Sequence, residues 1–162
     1  MEPVPNKSTT RVAIIGAGVS GLATLKSSKE AGFDGVAFDR REGVGGLWNF
    51  TPGTGHTTPA YPGLSMNTSR HISGFSDFPY PPHHNPYPPR DEVLAYIQAY
   101  TRAHALEPQV KLHTDVQQAL QTPDGRWHIR YNDGVEEHSE TFDALVVCTG
   151  RHGYPHLPEF PN

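Results

Sequence analysis

One cysteine, Cys148, stands among 162 residues. An internal disulfide is therefore excluded, and the thiol fits a reducing compartment where packing alone must hold the fold. No apolar run approaches the roughly 20 residues needed to cross a bilayer. The opening Met1-Glu-Pro-Val-Pro-Asn-Lys7 lacks the apolar stretch of a signal peptide and reads as a flexible tail over residues 1–9. A soluble, cytoplasmic protein is expected. Charge of one sign is scarce too: 13 Lys and Arg against 17 Asp and Glu leave a net charge of -4. That balance argues against an electrostatic grip on nucleic acid or an anionic membrane. Apolar residues make up only 35%, and the 16 Gly and 16 Pro explain why: much of the chain is loop.

What regular pattern exists is concentrated at the two ends. Arg11-Val-Ala-Ile-Ile15 is a short β-branched run that suits a strand buried on both faces of a parallel sheet. Residues 19–31 follow with helical spacing of Val19, Leu22, Ala23 and Leu25, and Gly32 sits at the expected stop. Gly35-Val-Ala-Phe-Asp39 completes a βαβ unit. Periodicity then disappears from Arg40 to Pro89, yet Trp48, Phe50, Tyr61, Met66, Phe75, Phe78 and Tyr80 argue against disorder. Residues 90–106 predict a helix with Val93, Leu94, Ile97, Tyr100 and His104 on one face. Strands are expected over Val110–His113, Val116–Gln121, Trp127–Tyr131 and Glu137–Thr141, joined as a meander by Pro123-Asp-Gly125 and Asn132-Asp-Gly134. Ala144-Leu-Val-Val-Cys148 repeats the buried parallel-strand pattern and runs into Thr149-Gly150, and an extended exit with Pro155, Pro158 and Pro161 follows.

Gly16-Ala-Gly-Val-Ser-Gly21 is a GxGxxG, weak alone but here set between a strand and a helix, with Asp39 ending the next strand. Gly16 permits the tight turn, Gly18 lets backbone approach a pyrophosphate, and Gly21 allows close helix packing. The helix N-terminus offers unpaired N–H groups to the phosphates, and Ala17, Val19 and Ser20 are further expected contacts. Asp39 can accept from ribose hydroxyls and repels a 2′-phosphate, which favours FAD or NAD. Arg40 and Arg41 read either as a solvated turn or, for Arg40, as a stacking partner for adenine. Gly45-Gly-Leu-Trp48 then adds a second place where backbone passes close to a dinucleotide, with Gly46, Leu47 and Trp48 as contacts.

In this order the motifs resemble the flavin-containing monooxygenases. Tyr61-Pro-Gly-Leu-Ser-Met-Asn-Thr-Ser-Arg70, Phe75-Ser-Asp-Phe-Pro79 and Phe142-Asp-Ala-Leu-Val-Val-Cys-Thr-Gly150 extend the resemblance across residues 10–160. The related Baeyer–Villiger enzymes look similar as far as Trp48, but Asn67-Thr-Ser-Arg70 favours the first branch. The resemblance implies an α/β, Rossmann-like FAD-binding fold over residues 10–162, a parallel sheet with an antiparallel β-meander. It also implies further FAD contacts at Met66, Asn67, Thr68, Val116, Thr149 and Gly150. The implied chemistry is NADPH-dependent oxygenation of an amine nitrogen or thioether sulfur, with O2 carried as a flavin C4a-hydroperoxide. Asn67 matches the family asparagine beside the flavin, where its amide can donate and accept. Without the family pattern, a turn residue is the better reading of Asn67.

Two departures stand out. The family acid is typically Glu and is Asp39 here, one methylene shorter. The family's second glycine motif, which binds NADPH, and its long histidine-bearing fingerprint do not occur in these residues. The NADPH domain is thus expected to be absent, the fold to be incomplete on its C-terminal side, and self-association or a complementing subunit to follow. Alternatives are a non-catalytic or split-enzyme FAD module and, less well supported by Gly45-Gly-Leu-Trp48, an NAD-dependent dehydrogenase domain. His83-His84 and His152/His156 lack Cys or carboxylate neighbours at ligand spacing, so no metal is expected. The run Phe78–Pro89, with six prolines, reads as a rigid strap rather than a polyproline ligand, and Cys148 as an inert core thiol.

Overall fold

A computed structural model describes residues 10–50, 60–151 and 158–160. The proposed tail, the His152/His156 pair and most of the exit lie outside the described residues. Strand β1 (Arg11–Ile15) is the centre of a four-stranded sheet. Helix α1 (Val19–Glu30) carries the chain over one face to β2 (Asp34–Phe38), which pairs parallel to β1. A long irregular stretch follows, holding a 3-10 turn at Gly46–Trp48 and the one-turn helix α2 (Arg70–Ser73). Helix α3 (Arg90–Ala103) then leads to β3 (Val110–Lys111). Strands β4 (Asp115–Gln121), β5 (Trp127–Asn132) and β6 (Glu137–Phe142) form an antiparallel meander. Finally β7 (Ala144–Val147) pairs parallel to the free side of β1, giving the order β3-β2-β1-β7.

The sheet is buried on both faces because its strands alternate between two cores. Val12, Ile14, Ala37, Ala144 and Val146 meet α1 and α3 through Leu22, Leu25, Val93, Tyr96, Ile97 and Tyr100. The intervening Ala13, Val36, Phe38 and Leu145 meet the meander through Ile129, Tyr131 and Phe142. A period of two thus feeds two separate layers from one strand. An ion cluster fastens the meander to the sheet. Lys111 Nζ donates to Tyr131 Oη and Glu140 Oε1, each at 2.8 Å, and Arg11 Nη2 donates to Glu140 Oε2 at 2.7 Å. Burial alone would push the Glu140 carboxyl up, but the hydrogen bonds from Lys111, Tyr131 and Arg11 outweigh it and hold it at about 2.

The meander and the βαβ unit match the sequence reading, with three corrections. The segment expected as a strand over Val110–His113 is only two residues long, and it joins the parallel sheet through Ala37↔Val110 rather than the meander. It stops because His113 turns into the left-handed region, at φ 52°, to donate its N–H to Arg41 O. The α3 helix ends at Ala103, not residue 106: Ala105 turns left-handed at φ 48°. Lys29 Nζ covers the freed carbonyls of His104 and Ala105 at 3.0 and 2.9 Å. The buried face of α3 includes Tyr96 and Thr101, while Leu94 and His104 are only half-buried. Strand β7 is a sheet edge rather than a fully buried strand. Val147 is 64% exposed and Cys148 half-buried, its Sγ 3.9 Å from Thr24 Oγ1.

Candidate functional site

Strands β1, β2 and β7 end together, and the chain leaves them as loops on one side of the sheet. Cys148 N–H bonds Ile15 O at 2.8 Å and Gly16 N–H bonds Phe38 O at 2.7 Å, tying the three exits. In an open α/β sheet this is where ligands bind, at the point where the connections diverge to either side of the first strand. Gly16 has φ 107°, and a Cβ there would lie 2.4 Å from Cys148 O. A Cβ on Gly21 would lie 1.8 Å from Gly16 O, so only glycine lets the first turn of α1 press onto the loop. The helix begins at Gly18 with no side-chain cap and no acid in its first turn, and Val19 and Ser20 are exposed there. Its dipole, roughly +0.5 of a charge, is therefore left for an external anion.

The second glycine loop is welded to the first. Gly45 N–H donates to Ala17 O at 3.0 Å, and a Cβ on Gly46 would stand 2.9 Å from Gly18 Cα. Gly45 is buried beneath Leu94 of α3, and Trp48 packs half-buried on the helical core. Asp39 lies just past β2 and is 9% exposed. Its Oδ2 accepts from Ala17 N–H at 2.7 Å and its Oδ1 from Arg41 N–H at 3.0 Å. Two of roughly four carboxylate lone-pair sites remain for ribose hydroxyls. The Arg41 guanidinium Nη1 donates to Gly46 O and, more loosely at 3.4 Å, to Asn49 O. Burial lowers the Arg41 pKa from its ordinary value, and Asp39 acts against that shift.

The other end of the site is built from the irregular stretch. Met66 N–H bonds Pro88 O at 2.9 Å and Arg90 N–H bonds Leu64 O at 2.8 Å, so residues 64–66 run against the end of the proline strap. Arg70 N–H bonds Pro86 O at 2.8 Å. Its guanidinium Nη1 donates to Pro81 O at 3.2 Å, Pro82 O at 2.6 Å and His84 O. Tyr96 Oη accepts from Phe75 N–H at 2.8 Å and donates to Phe78 O at 2.6 Å. Its ring stacks on Tyr80 at 3.7 Å, and burial pushes the Tyr80 phenol up to about 12. Asn67 and Thr68 stay exposed beside this scaffold, with Thr68 Oγ1 2.6 Å from Ser73 Oγ. A groove of about 400 Å³ lined by Ala23, Thr24, Ser27, Ser28, Ala31 and Phe33 runs along α1, away from the glycine loops.

A family model described as flavin-binding monooxygenase-like matches residues 9–162. The chain belongs to this family. It is 36% identical over 154 residues to flavin-containing monooxygenase 5 of Oryctolagus cuniculus, covering 91% of this chain and 29% of that one. Flavin-containing monooxygenase 1 of Canis lupus familiaris is 36% identical over 153 residues, again covering 91% and 29%. The chain thus spans less than a third of the length of the curated relatives it matches. Among solved structures, S-allyl-L-cysteine S-oxygenase from Allium sativum superimposes with a TM-score of 0.83 at 30% identity, over 93% of this chain and 38% of that one. An oxidized steroid monooxygenase bound to NADP gives 0.71 at 27% identity, over 93% and 28%.

For this flavin-binding monooxygenase-like chain, the residues singled out in the sequence fall into two groups. Gly16–Gly21, Asp39, Arg40, Gly46, Leu47, Trp48, Thr149 and Gly150 gather at the exits of β1, β2 and β7. Met66, Asn67 and Thr68 sit on the strap side. Val116 lies on β4, opposite Tyr131, and packs half-buried against the Phe38 core. Arg41 is no solvated turn but a brace. Arg41, Arg70 and Tyr96 carry no sequence signature of their roles because each acts through backbone groups. The nearest thing to one, for two of them, is an arginine close to a run of Gly or Pro. Among the described residues, no cluster of three or more His, Cys, Asp and Glu could hold a metal, and no helix is long and apolar enough to cross a membrane.

Proposed function

We propose that this chain binds FAD and serves as the flavin-binding portion of an NADPH-dependent monooxygenase acting on soft nucleophiles, an amine nitrogen or a thioether sulfur. The observation that carries the cofactor reading is the pair of interlocked glycine loops over an uncapped helix N-terminus. A Cβ at Gly46 would stand 2.9 Å from Gly18 Cα and force the two loops apart. Asp39 takes the adenosine ribose, Gly18, Val19 and Ser20 take the phosphates, and Met66, Asn67 and Thr68 border the ring. When bound, the flavin supplies the oxygen-activating redox chemistry. This chain's residues bind and orient it, and the Asn67 amide offers both N–H donors and a carbonyl acceptor at the ring's edge. Thioether substrates draw support from the likeness to an S-oxygenase.

Titration of FAD by fluorescence quenching tests the cofactor reading. The wild-type chain should quench FAD saturably. Asp39→Ala leaves ribose hydroxyls unpaired and should weaken binding about ten- to a hundredfold. Unchanged affinity in the variant removes Asp39 from the site.

A further inference from the structure

We infer that Arg41 is a positioning residue for the pyrophosphate, setting the separation of the two glycine loops through a closed circuit of contacts. This rests on the reading of the loops as an FAD site. The circuit runs from Ala17 N–H to Asp39, from Asp39 to Arg41 N–H, from the Arg41 guanidinium to Gly46 O, and back through Gly45 N–H to Ala17 O. Gly18 and Gly46 face each other at the middle of that ring. Three of its four hydrogen bonds join backbone groups to one another or to the short Asp39 carboxylate, which have little room to adjust their reach. The guanidinium is the one long side chain, and its planar fork fixes the geometry where a lysine would offer a single pivoting ammonium. The far side of Arg41 is also anchored, since its carbonyl accepts from His113 N–H at 2.9 Å.

Without Arg41, the Gly46 carbonyl keeps only the Asn49 N–H at 3.1 Å, and the second loop can tilt away from Gly18. The adenosine end does not pass through the guanidinium, because the Arg41 N–H that holds Asp39 is backbone and survives substitution by Met or Lys. The role therefore predicts a split between ligands. Arg41→Met should weaken FAD and ADP-ribose about ten- to a hundredfold, while AMP, which has no pyrophosphate, changes about twofold or less. Arg41→Lys should fall between. Affinities come from fluorescence or calorimetric titration of the 162-residue chain, with far-UV circular dichroism as the fold check. Equal losses for AMP and FAD would make Arg41 a merely structural residue, and unchanged FAD affinity in both variants would remove it from the cradle. If Arg41→Met fails to fold, the Arg41→Lys ratio of FAD to AMP decides alone. A wild-type chain that binds none of the three overturns the cofactor reading and this role with it.

Discussion

The two ends of the site are held by different means. At the glycine end, backbone meets backbone: Gly21 on Gly16, Gly46 on Gly18, and a buried carboxylate between them. At the Asn67 end, long side chains reach across to carbonyls, and the residues that would face a ligand are exposed. The first arrangement has no slack, because an added methyl group meets a peptide plane. The second can rearrange by rotating a side chain. Under the proposed FAD reading, the first arrangement suits the pyrophosphate and the second the ring.

The largest effect should come from filling the first arrangement. Gly21→Ala drives a methyl into Gly16 O and costs roughly 1–3 kcal/mol or more in stability. A lowered melting temperature with FAD binding lost altogether is expected, and a variant that binds FAD normally would show that the site does not need α1 pressed onto the Gly16 turn. Next, Arg70→Ala removes three carbonyl contacts at the other end. The amides of His83, His84 and Asn85 should exchange about tenfold faster, with AMP affinity unmoved. If amides at residues 16–21 speed up equally, the two ends are one cooperative unit and the contrast fails.

Acid offers a sharper probe of the floor beneath the glycine end. Glu140 has a carboxyl held at about 2 against an ordinary 4.5, so its contribution is fully present above the ordinary value. It is lost as pH falls through about 2. Thermal melts should show wild type and Glu140→Gln converging across that window, since the glutamine has no proton to gain. Curves that stay parallel would mean the cluster does not hold the meander. The smallest effect on binding belongs to Asn67→Leu, with FAD affinity changed by about twofold or less, as for an exposed side chain. In any form of the protein competent for turnover, the same variant should keep NADPH oxidation but release hydrogen peroxide in place of product. Retained coupling would remove Asn67 from the chemistry.

What the sequence made legible follows from how far each contact reaches. The βαβ unit, the meander and α3 are local, with periodicity and Gly turns that announce them. Strand β3 is not. Two residues pair across more than 70 positions of chain, Ala37 with Val110, and two residues carry no period. The glycine end of the site was readable because each glycine answers one steric demand. The braces were hidden because an arginine that bonds carbonyls looks, in sequence, like any arginine beside a loop. Asp39 was readable as an acid at a strand end, but not its hold on Ala17 N–H, which joins residues 22 positions apart.

The alternation in β1 has a consequence for how this domain tolerates insertion and deletion. Val12 and Ile14 belong to one core and Ala13 to the other, so a single residue gained or lost inside the strand exchanges the two sets at once. An alanine's volume would then be offered where an isoleucine is needed, and the reverse, on both faces together. The length of β1 is thereby fixed more tightly than its composition. The meander's turns answer to no such rule: Gly125 and Gly134 have open space around them. Length variation within the domain should collect at those turns, leaving the five residues of β1 uninterrupted.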